Sequence, residues 1–205
     1  MAVGQWQRVK WGVRSSEDCH AAQPDNRLML CSHIGGRVAA AIALMGLYAC
    51  SPTLDWREVR PEDTGVVALF PCKPTTDARM VMLDGVRVRM LLTACRAGDV
   101  TWALASADTE QPARVGPALA ALRAASVANL AASAQAIGPL QVSGMTPNPQ
   151  AERVRIKGKL PDGGEVTLEA GFFAKGTWVF QATAMGAAPG SEAVATFFDN
   201  LKLPS

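Results

Sequence analysis

Beyond residue 64 the apolar positions follow two periods, close to two and to about 3.6, and predict hairpins alternating with helices. Gly65–Phe70 (GVVALF) is a short apolar run that stops at Pro71, as a strand end does. Ala78–Leu83 and Val86–Ala94 flank Asp84-Gly85, the dipeptide favoured in two-residue type I′ hairpins. This turn pairs Leu83 with Val86 and Val81 with Val88 on one face, and gathers Met80, Met82, Arg87 and Arg89 on the other. Val100–Ala107 is the next strand. Val115, Leu119, Leu122, Ser126 and Leu130 then recur at spacings of three and four, a helical stripe in an Ala-rich background, with Pro139 beyond its end. Arg153, Arg155, Lys157 and Lys159 alternate with Val154, Ile156, Gly158 and Leu160 up to Asp162-Gly163-Gly164. A three-residue loop there sets Leu160 beside Val166 and Lys157 beside Glu169. Thr177–Ala184 is a last strand, and Ser191 is expected to cap a helix with Val194, Phe197, Phe198 and Leu201 on its apolar face. The fold class is therefore α+β: an antiparallel sheet built from hairpins with helices packed against it.

Before residue 64 the pattern is different. Val38–Ala49 (VAAAIALMGLYA) holds no charge over twelve residues and follows Arg37. A spanning helix needs about 20 apolar residues, whereas a signal-peptide core needs roughly 7–15 behind a basic residue. Residues 1–49 read as a signal segment. Their first 28 contain three acids and two tryptophans, unlike a signal, so Met29 is the better start. Pro52, Pro61, Glu58, Glu62 and Asp63 mark the stretch after Cys50 as a tether, giving residues 50–64 as lipidated cysteine and tether and 65–205 as the α+β domain.

Leu47-Tyr48-Ala49-Cys50 resembles the lipobox of bacterial lipoproteins. The resemblance implies cleavage before Cys50, a diacylglyceryl group on its sulfur and a further acyl chain on the new amino terminus, hence membrane lipid as a partner. Ser51, where an Asp would signal inner-membrane retention, favours the outer membrane facing the periplasm. A plain secretory signal and an uncleaved anchor are the alternatives. The opening "LFPCKP" and closing "ATFFDNLKL" resemble small bacterial lipoproteins and exported domains of PsbP-like fold, in which an FP-x-x-P strand end begins the domain and an FF-D-x-φ-K/R-L helix (φ apolar) closes it. That fold carries no single activity, so function does not follow from it.

Composition then limits the chemistry. Both histidines (His20, His33) and the only tyrosine (Tyr48) precede Cys50, so a chain cut there has neither. Residues 50–205 hold fifteen charges of each sign, too balanced for the clustered basic footprint of a nucleic-acid binder. Without histidine the common Ser-His-Asp and Cys-His arrangements cannot form, nor can imidazole metal sites. No cofactor motif is present, and the carboxylates fall in turns, in the tether, or opposite basic residues. The reading is non-enzymatic: a lipid-anchored envelope protein that binds a protein partner or assembly factor, with an envelope carrier of a small molecule or lipid, its pocket between sheet and helix, as the alternative and a His-free carboxylate hydrolase behind it. Cys72 and Cys95 remain as a pair, brought close if the Asp84-Gly85 hairpin continues, and are expected to form a disulfide in an oxidising compartment. The Met80, Met82, Arg87 and Arg89 face is a candidate partner surface, against the plainer expectation of methionines packed under a helix. Arg153, Arg155, Lys157 and Lys159 are a candidate contact for anionic surfaces, against a solvated row offset by Glu165 and Glu169.

Overall fold

The computed structural model describes residues 54–160 and 162–204. The signal segment expected over 1–49, its start at Met29 and the lipidation site Cys50 lie outside them. The elements run β1 (Arg57–Val59), β2 (Ala68–Phe70), β3 (Thr75–Leu83), β4 (Val86–Ala97), β5 (Val100–Asp108), α1 (Val115–Asn129), β6 (Ala134–Pro139), β7 (Glu152–Lys159), β8 (Glu165–Lys175), β9 (Trp178–Gly186) and α2 (Ser191–Asp199). Strands β3 to β9 form one antiparallel sheet in the order β3-β4-β5-β9-β8-β7-β6, and β1 pairs with β2 in a separate ribbon.

Alternation along the strands gives the sheet two buried faces. One carries Met90, Ala105, Phe172 and Val179 against Val115, Leu119 and Leu122 of α1. The other carries Trp102, Leu104, Phe173 and Phe180 against Phe197 and Phe198 of α2 and Phe70 of β2. The molecule is therefore three-layered, with α1 on one side of the sheet and α2 with the β1–β2 ribbon on the other.

The first hairpin has the expected register, Leu83 opposite Val86 and Val81 opposite Val88. Both turn residues are left-handed (Asp84 φ 49°, Gly85 φ 73°), as a type I′ turn requires. The second hairpin differs. Lys159 faces Glu165, Lys157 faces Thr167 and Arg155 faces Glu169, two residues away from the expected register. Leu160 donates its N–H to the Gly164 carbonyl (2.8 Å) and Gly163 donates to Leu160 (2.9 Å), which places the left-handed residue at Gly163 (φ 88°) and closes the turn one position earlier. An even shift preserves both faces, so Val154 and Ile156 stay buried.

Two other expectations are corrected. Residues 54–64 are not a free tether: β1 pairs with β2, and Asp55 donates its N–H to the Pro71 carbonyl (2.8 Å). Trp56 also packs edge-on to Trp102, centroids 6.2 Å apart. Ser191 is not the cap of α2; Gly190 is, and no side chain caps that end. After α1, Ala134–Pro139 forms an edge strand that the sequence did not single out.

The Cys72–Cys95 disulfide is present, with Cα atoms 5.9 Å apart. It joins the end of the β2 segment to β4 where Cys95 faces Trp102. A loop of this length implies about 3 kcal/mol of stabilisation. Chemical unfolding with and without reductant is expected to show a loss of that size, and an unchanged midpoint would refute the assignment of a stabilising role.

Candidate binding surfaces

On the β3–β4 hairpin, Met80 stands opposite Arg89 and Met82 opposite Arg87. The two methionines are 52% and 54% exposed, so the expectation that a helix covers them is corrected. Even-numbered positions of β3 point away from α1, and on their side α2 packs over β5, β8 and β9 without reaching β3. Arg87 and Arg89 make no ion pair among the described residues. With Arg114, Asp108, Glu110 and Trp178 they border a hollow of about 290 Å³ whose lining is about half polar.

Among the described residues no strand pairs with the outer side of this hairpin, and the two edges of the sheet differ. On the far side β6 is six residues long, contains Pro139 and shifts register between Ala136 and Gly138, features that block further pairing. By contrast β3 offers nine residues without proline or bulge, exposed from Thr75 to Met80. Its outer N–H and C=O groups are a template for another strand.

The basic row of β7 does not act as one surface. Glu169, 6% exposed, accepts hydrogen bonds from Arg153 (2.8 Å) and from two nitrogens of Arg155 (3.0 and 2.6 Å). The Arg153 guanidinium lies 4.2 Å from the Phe198 ring centroid, a cation–π contact that joins β7 to α2. Gly171 permits that approach, since a Cβ there would come within 2.8 Å of the Phe198 ring. Arg153 therefore links the sheet to α2, Arg155 is tied to Glu169 within the sheet, and only Lys157 and Lys159 of the row are exposed.

A third feature lies where the alternative reading, a carrier, places its pocket. Between α1 and the sheet lies an apolar cavity of about 290 Å³, roughly twice the ~150 Å³ cavity that accepts benzene. Small side chains create it. Ala103 and Ala105 form the floor and Ala125 part of the roof, while Leu92, Leu122, Leu168 and Met185 form walls. Ser126 is satisfied within the walls: Gln181 Nε2 donates to Ser126 Oγ (3.0 Å), and Ser126 Oγ donates to the Leu122 carbonyl (3.0 Å). Arg79 is the only charged residue in the lining. The "WALASA" strand opposite an Ala-rich helix was the available signal, because two facing elements of small residues leave volume unfilled.

Several of the described carboxylates are engaged locally. Asp162 accepts the Gly164 N–H (3.0 Å), Asp108 accepts the Glu110 N–H (2.8 Å), and Glu152 pairs with Arg123 (2.5 Å). Among the described residues no three His, Cys, Asp or Glu side chains gather as a metal ligand set, and no helix is long and apolar enough to cross a membrane. Neither protein-family models nor curated proteins give a match to the chain.

Proposed function

We propose that the protein is a lipid-anchored, non-catalytic bacterial envelope protein of PsbP-like fold that captures an extended, acidic segment of an envelope protein partner along β3. The observation that carries this reading is the asymmetry of the sheet edges. The blunted β6 edge resists pairing, while β3, among the described residues, is open and flanked by exposed methionines and by Arg87 and Arg89 without ion pairs. Strand addition would supply main-chain hydrogen bonds. Met80 and Met82 would supply adaptable apolar contact, and Arg87 and Arg89 would select acidic side chains. The PsbP-like reading is supported by the meeting of its two motifs: Phe70 of the opening stands 5.4 Å, centroid to centroid, from Phe197 of the closing helix. An envelope address, facing the periplasm from the outer membrane, is supported by Leu47-Tyr48-Ala49-Cys50-Ser51 and by a disulfide suited to an oxidising compartment.

The test is photo-cross-linking in cells that make the protein, with a benzophenone amino acid at Ala78 or, as control, at Ile137 on β6. Adducts to another envelope protein are expected from Ala78 only. Combining the probe with Arg87→Glu and Arg89→Glu is expected to reduce the adduct at least about tenfold, the factor that 1.4 kcal/mol corresponds to. Equal adducts at both edges, adducts only between two copies of the chain, or indifference to the charge reversal would each overturn the reading.

A further inference from the structure

The geometry points to a second binding site on the opposite face of the same hairpin: the cavity between α1 and the sheet takes an aliphatic chain ending in a carboxylate, with Arg79 as the anchor for the head. This inference does not depend on the β3 partner, because odd and even positions of β3 face opposite sides of the sheet. Three observations carry it. The cavity is predominantly apolar, and of its polar residues Ser126 is already hydrogen-bonded within the walls, accepting from Gln181 Nε2 and donating to the Leu122 carbonyl. The space is built from facing alanines and is therefore a gap in the packing between two rigid layers. A chain of methylenes entering it would leave water for an apolar surround, a favourable transfer that grows with each buried CH₂.

The third observation concerns charge. Arg79 is exposed, lines the cavity from the edge strand and pairs with no carboxylate among the described residues. A lone guanidinium at the rim of an apolar space selects an apolar body with one anionic end, and its planar fork can hold both carboxylate oxygens at once. A neutral alcohol of the same length would keep the apolar contact and lose that bond. A cationic amphiphile would be repelled.

The full chain carrying Cys50→Ser, so that no acyl chain is added to it, is titrated calorimetrically with decanoate and with decanol. Saturable one-to-one binding of decanoate is expected, with decanol about tenfold weaker. Arg79→Gln, at an exposed position that leaves the packing intact, is expected to bring decanoate down to the decanol level and leave decanol within twofold. Ala105→Phe, which fills the floor, is expected to abolish both; should that variant fail to show a cooperative melt, the Arg79→Gln comparison decides alone. Absence of decanoate binding, as would follow if residues 38–49 or a second copy occupied the cavity, overturns the inference. So does equal affinity for the two ligands, or decanoate binding unchanged by Arg79→Gln.

Discussion

Phe197→Ala is expected to remove about 3–5 kcal/mol of stability, a large share of the roughly 5–15 kcal/mol that holds a domain folded. Phe197 has no exposed surface. Its ring meets Phe70 at 5.4 Å, Trp102 at 5.3 Å and Phe198 at 5.5 Å, all edge to face. These partners come from β2, β5 and α2, so one side chain ties the ribbon, the sheet and the closing helix together. Truncation removes the transfer energy of the ring and leaves a void. The void cannot collapse easily, because the Cys72–Cys95 bridge fixes the segment after β2 to β4. Urea unfolding followed by tryptophan fluorescence would measure the loss. Met80→Ala, at a half-exposed position, is expected to stay within about 0.5 kcal/mol. A loss below about 1.5 kcal/mol at Phe197 would mean that α2 does not carry the second core.

The comparison between sequence and structure turns on which determinants are local. Asp84-Gly85 determines its own turn geometry, and the register of β3 with β4 follows from it. The α1 stripe was readable for a similar reason, since Val115, Leu119, Leu122 and Ser126 repeat with the helix period and are all buried. Residues 160–164 were harder. Two adjacent glycines permit a left-handed residue at either position, both loops preserve the faces, and periodicity is silent between them; the backbone bonds at Leu160 decide. β1 has only three residues and exists because β2 pairs with it, a tertiary cause invisible in Arg57-Glu58-Val59. In β6, Ala134-Gln135-Ala136 continues an Ala-rich helical composition, and only pairing with β7 makes it a strand.

The same distinction governs the candidate surfaces. Alternation separated Met80 and Met82 from Val81, but it does not say which face a helix covers. That depends on where α1 and α2 cross the sheet, and both leave the hairpin's methionine face open. The basic row is divided for a related reason: Glu169, already read from the sequence as an offsetting charge, gathers Arg153 and Arg155 from positions 16 and 14 residues away, and Phe198 approaches Arg153 across Gly171. The cavity depended on the absence of side-chain volume, which hydrophobic patterning does not register.

Cys50→Ser is expected to move the protein from the membrane fraction almost entirely into the soluble one, and to leave the domain's stability unchanged. The first half follows from an inventory of the cysteines. Cys72 and Cys95 are joined to each other, and Cys19 and Cys31 precede the expected cut, so Cys50 is the thiol left to carry a thioether-linked lipid. One acyl chain gives only marginal attachment, with an association constant near ~10⁴ M⁻¹, whereas each further chain contributes about 0.8 kcal/mol per buried CH₂. Losing the site therefore removes many orders of magnitude of membrane affinity. The second half follows from the fold: β1 is already paired at Arg57–Val59, both cores lie beyond it, and the disulfide does not involve Cys50. Intact mass of the membrane-extracted protein checks both the cut and the acyl chains, and the urea midpoint of the variant checks the domain. Recovery of a chain that still contains His33 and Arg37, with a free thiol at Cys50, would remove the envelope address. The open β3 edge and the cavity beside Arg79 would then have to be explained in a compartment where a Cys72–Cys95 bridge does not ordinarily persist.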